Sequence, residues 1–152
     1  MSAELVVTHA QRLRAAVAVW SAGRWLAAPH SLPGLLATST TCAGVANHLV
    51  QVLADLGADA EHRPRRAVPQ PGNDLALPDQ LLVMAYDLAA AAPAEPVVRA
   101  ALAELLLHRV EIDGARPAAD ATIAVLGHPG RPQQLLALAA AQCPARAVGL
   151  AG

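Results

Sequence analysis

The sequence predicts an all-α protein, an antiparallel four-helix bundle followed by a C-terminal tail. Apolar residues recur at helical spacing along four segments, and proline and glycine stand between those segments. Of the 152 residues, 55% are hydrophobic and only 2% aromatic, so the core must consist of small and aliphatic side chains. The length fits one domain of roughly 100–200 residues. We expect the bundle over residues 1–114 and an extension over 115–152 that packs on it or trails from it.

The composition excludes several classes of function. Its apolar fraction excludes a disordered chain. A net charge of -1 argues against a protein that coats nucleic acid. The first residues have no basic segment, and no charge-free apolar run reaches about 18 residues, so we expect neither a signal peptide nor membrane contact but a cytoplasmic protein. The abundance of Ala, Arg, Gly and Pro, without Lys, is typical of a high-GC bacterium.

The first two helices are predicted from their apolar faces and their caps. The first runs from about residue 3 to residue 26, with Ser2 as its N-cap. One face of it presents Val6, His9, Leu13, Val17 and Trp20. The second follows residues 31–33 and ends at Gly57, which suits the position after a helix. Residues 38–41 favour β structure, so they argue against a helix in the first half of this segment.

A proline-rich loop, residues 61–78, separates the two halves of the bundle. The third helix begins at Pro78 and stops before Pro93, and the fourth runs from Glu95 to about Gly114. In the tail, residues 122–126 and 147–150 read as strands around a helical segment, so a β-α-β unit is one alternative. The other, which we favour, is one or two short helices across the bundle.

Four residues with metal-ligand chemistry are predicted to share one layer. If consecutive helices alternate in direction, the rise of about 1.5 Å per residue brings His9, His48, Glu104 and His108 to similar heights. Glu104 and His108 form an ExxxH pair, which places a carboxylate and an imidazole one turn apart. With His48 they would make an open N2O set for Zn²⁺, Fe²⁺ or Ni²⁺. The alternative is a surface hydrogen bond between Glu104 and His108. For His9 three roles are open: it is a fourth ligand, it supports one of the ligands from behind, or it is a core histidine with its own hydrogen-bond partner.

At these residues the chain resembles the DinB-like metal-binding four-helix domains, in particular the mycothiol-dependent maleylpyruvate isomerase group. The similar segments are Val45-Ala46-Asn47-His48-Leu49 and the ten residues from Glu104 to Asp113. The resemblance implies a divalent metal held by His48, Glu104 and His108. It also implies a thiol cofactor as co-substrate, and hence a thiol-linked transferase or isomerase.

A second set of residues favours interaction with a protein partner or self-association. Val83 and Tyr86 lie opposite the apolar stripe of the third helix, and Trp20 and Trp25 cannot both lie centrally on one stripe of the first. Such aromatic residues on Ala-rich helices are candidate anchors for a partner. Because no nucleophile motif is present, we expect first a non-catalytic accessory or interaction protein. The DinB-like metal-dependent enzyme is the alternative, and the substrate or partner is not predicted.

Overall fold

The computed structural model describes residues 2–31 and 37–115, and these residues contain five α-helices and one short 3-10 helix. The helices are α1 (Glu4–Val17), α2 (Ala22–Trp25), α3 (Cys42–Ala60), the 3-10 helix (Asp74–Ala76), α4 (Leu77–Ala90) and α5 (Glu95–Asp113). The four long helices pack as a bundle, which confirms the predicted fold class. The two alternatives for the tail lie outside the described residues.

The first predicted helix is two helices in the structure. α1 ends at Val17, whose carbonyl still accepts a hydrogen bond from the Trp20 amide at 3.1 Å. Ser21 then takes extended backbone angles, and its hydroxyl accepts a hydrogen bond from the amide of Arg24 at 3.2 Å. A serine in this position caps a new helix rather than continuing the old one. The chain therefore turns after α1, and α2 closes that end of the bundle.

The second predicted helix begins later than expected, at Cys42. Thr41 is its N-cap, and the Thr41 hydroxyl accepts a hydrogen bond from the amide of Gly44 at 3.0 Å. The β-branched and hydroxyl-bearing residues 38–41 thus form an irregular, bent approach to the helix instead of its first turn. Residues 32–36 lie outside the described part of the chain.

The third and fourth predicted helices agree with α4 and α5 to within a few residues. Both helices carry proline in the first turn, where a missing amide hydrogen costs nothing. α5 ends at Gly114, which adopts a left-handed conformation with φ of 73°. A β-carbon on Gly114 would also lie 3.2 Å from the ring of His30, so both backbone and space favour glycine there.

The directions of the helices differ from a simple alternation. Arg14 pairs with Asp79 and Gln11 with Tyr86, so α1 and α4 are antiparallel. α3 and α5 are antiparallel as well, because the first residue of α3 lies beside Ile112 near the end of α5. α3 and α4 run in the same direction, since the loop after α3 carries the chain back along the bundle before α4 begins. The prediction of a shared layer of ligands assumed that α3 and α5 run in the same direction. In the structure they run in opposite directions.

The core is aliphatic, as the composition predicted. Its largest buried apolar side chains include Leu13, Leu49, Leu53, Leu88 and Leu105. Each such leucine stabilises the fold by roughly 1.5–3 kcal/mol of transfer free energy. Within residues 2–31 and 37–115, no helix has the length and apolar character needed to span a bilayer.

Candidate functional site

The polar side chains buried in the described part of the chain all belong to α5. They are Glu104, His108 and Glu111, and His108 is completely inaccessible to solvent. A buried polar side chain is costly unless hydrogen bonds compensate it, so each of these needs a specific partner. The interpretation of Glu104 and His108 as a surface hydrogen bond is therefore excluded.

The structure brings together the three residues predicted as metal ligands. His48 Nδ1 of α3 lies 2.8 Å from His108 Nε2 of α5, and the two rings meet edge to edge with their centres 5.1 Å apart and their planes 15° apart. On the other edge of His108, Nδ1 lies 2.6 Å from the backbone carbonyl oxygen of Glu104 and 3.4 Å from its carboxylate Oε2. His48 is half-buried, so this histidine pair reaches from the interior towards the surface.

The contacts of His108 fix which nitrogen carries its proton. A carbonyl oxygen can only accept a hydrogen bond, so Nδ1 of His108 is the donor to Glu104. In the neutral ring, Nε2 of His108 then carries a lone pair and accepts a hydrogen bond from Nδ1 of His48. It follows that the lone pair of a neutral His48 lies on its own Nε2.

The arrangement is not yet a three-ligand set. His48 and the Glu104 carboxylate approach opposite edges of the His108 ring, and one imidazole edge can bind only one ion. Across residues 2–31 and 37–115, no three His, Cys, Asp or Glu side chains converge so as to hold a metal ion. Two imidazole nitrogens, His48 Nδ1 and His108 Nε2, do converge, whereas the carboxylate lies at the Nδ1 edge of His108. The assignment of a metal to these residues stays a prediction.

His9 is only half-buried on α1 and does not join the other three in a ligand group within the described residues. Burial lowers the pKa of His9, and the positive charges of Arg12 and Arg109 lower it further. The side chain is thus held in its neutral form by its surroundings, as a histidine packed against the core would be.

We expect His9 to make the stability of the fold depend on pH. Because its pKa is lower in the folded chain, the unfolded chain takes up the proton first as pH falls through about 6.5. The free energy of unfolding therefore declines from that pH down to the lowered pKa. Urea unfolding at several pH values checks this: the stability difference between the wild type and His9→Gln should shrink on acidification. Parallel curves would contradict it.

The residues predicted as interaction anchors lie in two places. Trp25 is buried at 2% exposure, and its ring centre lies 4.9 Å from that of the half-buried Trp20. The Arg24 guanidinium lies 4.4 Å from the centre of the Trp20 ring, a cation–π contact. Trp25 thus supports Trp20 from the core. Val83 and Tyr86 are exposed on α4, at 51% and 49%.

A cavity of about 350 Å³ opens beside His48. It lies between α3, residues 38–39 before that helix, the loop residues 68–70 and the start of α4. Gln51 holds the loop wall in place, because its Nε2 donates to the Arg66 carbonyl and its Oε1 accepts from the amide of Val68. His48 therefore lines a preformed polar cavity, whereas His108 lies behind it.

Glu111 has a structural role that sequence reasoning missed. Its two carboxylate oxygens accept hydrogen bonds from the backbone amide and the hydroxyl of Thr38, at 2.8 and 2.7 Å. The Glu111 carbonyl also accepts a hydrogen bond from the amide of His30, at 2.7 Å. The available signal was an acidic residue in the otherwise apolar end of α5. Glu111 attaches the segments before α3 to α5.

Cys42 is a free, buried thiol. Its Sγ lies 3.8 Å from the carbonyl oxygen of Ala28 and 3.6 Å from that of Ile112, so the one S–H can donate to either oxygen. Burial raises the pKa of the Cys42 thiol, so its reactive thiolate form is disfavoured. Cys143 lies outside the described residues.

The basic loop after α3 is a solvated surface. Arg65 pairs with Asp59 at 2.6 Å, and Arg63 pairs with Glu61. Exposed pairs of this kind contribute little to stability, and they neutralise the charges of Arg63 and Arg65.

Comparisons with family models, with curated proteins and with solved structures returned no match for this chain. The function must therefore be argued from the geometry of the site.

Proposed function

We propose that this chain is a ligand-binding helical domain whose centre is His48, His108 and Glu104, and that this centre takes a divalent cation such as Zn²⁺. One observation carries the proposal: two imidazole nitrogens from different helices lie 2.8 Å apart at the edge of the core. Helical bundles commonly build metal sites from such inward-facing side chains.

The two imidazoles fit a cation in the kind and spacing of their donor atoms. Two nitrogens that bind one ion at about 2.0–2.1 Å can lie no more than about 4.2 Å apart, and these nitrogens satisfy that limit. Imidazole suits Zn, Fe and Ni. His108 already donates its other N–H to a carbonyl oxygen, which is the orientation that metal-binding histidines usually have.

Two changes within the chain accompany the proposed binding. The ring proton of His48 moves from Nδ1 to Nε2, so that Nδ1 can act as a donor atom towards the ion. The Glu104 carboxylate turns from the Nδ1 edge of His108 towards its Nε2 edge. A divalent cation held here would supply Lewis acidity or lower the pKa of a bound water. The activity we propose is the thiol-linked transfer or isomerisation that the DinB-like resemblance implies.

Metal titration of untagged, chelator-treated protein tests the proposal. We expect about one equivalent of Zn²⁺ to bind in calorimetry and to raise the melting temperature, because a ligand that binds only the folded state stabilises it. If the protein binds no Zn²⁺, Fe²⁺ or Ni²⁺ and its melting temperature does not change, the proposal is wrong.

A second function, self-association as an accessory protein, is favoured by the exposed Val83 and Tyr86. They lie three residues apart on α4, so they form one outward-facing apolar surface. If two copies pack α4 against α4 about a two-fold axis between these residues, each Tyr86 covers the Val83 of the partner.

We expect Tyr86→Ala to weaken this self-association at least tenfold, because it removes the largest apolar side chain of the surface. Analytical ultracentrifugation over a concentration series measures it. Gln11→Ala is the matched control, since Gln11 Nε2 donates to the Tyr86 hydroxyl at 2.9 Å and the variant removes only that bond. A wild type that is monomeric at all concentrations would refute self-association.

A further inference from the structure

The cavity beside His48 has a composition that selects among ligands. Its lining residues include Thr38, Ser39, Asn47, Gln70 and Gln80, together with His48. Among the described residues that line it there is no Asp, Glu, Lys or Arg. In the metal-free chain, a charged group that enters this cavity loses water and meets no opposite charge among the described lining residues, so the lining disfavours ions.

Gln80 provides a hydrogen-bond acceptor that the described chain does not use. Its Nε2 donates to the carbonyl of Pro69 at 3.0 Å, whereas its Oε1 is buried and has no hydrogen-bond partner among the described residues. A buried carbonyl oxygen without a donor is costly, so a donor from a ligand would be favourable there. Gln51, on the same cavity, differs in that both its amide nitrogen and its oxygen are in use.

We infer that this cavity binds an uncharged molecule that donates a hydroxyl or amide hydrogen to Gln80 Oε1. Binding includes a turn of the Gln80 amide, because the oxygen is not accessible to solvent in the ligand-free chain, and this turn exchanges the Nε2 bond to Pro69 for the bond from the ligand. Gln80 then selects molecules that donate a hydrogen bond, the uncharged lining disfavours ions, and His48 lies on the same wall. The inference rests on the proposed function in one respect: the ligand would lie beside the proposed metal centre of His48, His108 and Glu104, which would act on it.

Three probes of equal size and different charge test this inference: propionamide, propionate and propylammonium. Each is titrated into isotope-labelled, metal-free protein, and the side-chain amide signals of Gln80 and Asn47 are followed by NMR. We expect saturable shifts with propionamide at millimolar concentration and at least tenfold weaker binding of both ions. Equal binding of the three probes, or no binding of propionamide, would overturn the inference.

Two variants of Gln80 sharpen the test. Gln80→Leu removes the acceptor and should weaken propionamide binding at least tenfold. Gln80→Glu places a negative charge in the cavity and should make propylammonium the preferred probe. Gln11→Glu is the control, because it makes the same change on an exposed part of α1. If Gln80→Leu leaves propionamide binding unchanged, Gln80 is not the selecting residue.

The metal proposal and this inference can fail separately. Zn²⁺ binding by Gln80→Leu should equal that of the wild type, because Gln80 is not among the proposed metal ligands. A protein that binds Zn²⁺ but not propionamide overturns only this inference, and one that binds propionamide but no metal overturns only the proposed function.

Discussion

Replacing His108 with alanine is expected to abolish binding of Zn²⁺, with a loss of affinity of at least 100-fold. His108 supplies one of the two converging nitrogens, and its ring lies between His48 and the Glu104 carboxylate. Without it, the remaining two donors lie on different helices with no group between them. Calorimetric titration of the untagged variant with Zn²⁺ measures the loss.

His108 is fully buried, so alanine also leaves a cavity and lowers stability. Glu104→Gln therefore serves as a second variant, because it keeps the volume of the side chain and removes only its charge. We expect it to weaken Zn²⁺ binding about 10–100-fold, the range typical of a supporting carboxylate. His62→Asn is the control, since it removes an exposed histidine from a left-handed position that asparagine tolerates. If His108→Ala binds Zn²⁺ as the wild type does, the metal does not occupy this centre.

Glu111→Ala is expected to reduce the free energy of unfolding by about 2–4 kcal/mol. The buried carboxylate accepts two hydrogen bonds from Thr38, and its removal leaves both donors without that partner. The segment before α3 would then lose its side-chain attachment to α5 and keep only the backbone bond from the His30 amide to the Glu111 carbonyl. Urea unfolding followed by circular dichroism gives the difference, and an unchanged slope would show that the unfolded state is unaffected.

Two further variants separate this effect from a general loss of charge. Thr38→Val removes only the hydroxyl donor and should cost about 1 kcal/mol. Glu95→Ala removes an exposed carboxylate that pairs with Arg99 on the surface of α5, and it should leave the free energy of unfolding almost unchanged. If Glu111→Ala lowers the free energy of unfolding by less than about 0.5 kcal/mol, the hydrogen bonds between Glu111 and Thr38 do not stabilise the fold.

The parts of the fold that the sequence predicted well are those set by local signals. Pro78, Pro96 and Gly114 mark the ends of α4 and α5 by their own backbone preferences, and the structure keeps those ends. The break between α1 and α2 was missed because its helical pattern continues through Ser21. That break depends on two features, the Ser21 cap and the packing of Trp20 against Trp25. The contact between the two tryptophans forms only once the chain has turned, so the helical pattern does not reveal it.

The site shows the same division between local and long-range information. Glu104 and His108 are four residues apart on one helix, so their proximity follows from helical geometry alone. The prediction that His48 lies beside them assumed that α3 and α5 run in the same direction. The two helices are antiparallel, yet they still bring His48 and His108 to the same height in the bundle. The bond from Thr38 to Glu111 spans 73 residues, and no local pattern announces it.

The same-direction packing of α3 and α4 has a consequence for how the chain folds. Each of the four main interfaces, α1 with α4, α1 with α5, α3 with α4 and α3 with α5, joins a helix before the proline-rich loop to a helix after it. Among the described residues, the long helices of each half bury their apolar faces mainly against the helices of the other half, so we expect neither half to fold alone. Two fragments of the chain, produced by a cut within that loop, should each be unstructured alone. When they are mixed, they should bind each other and fold into the bundle.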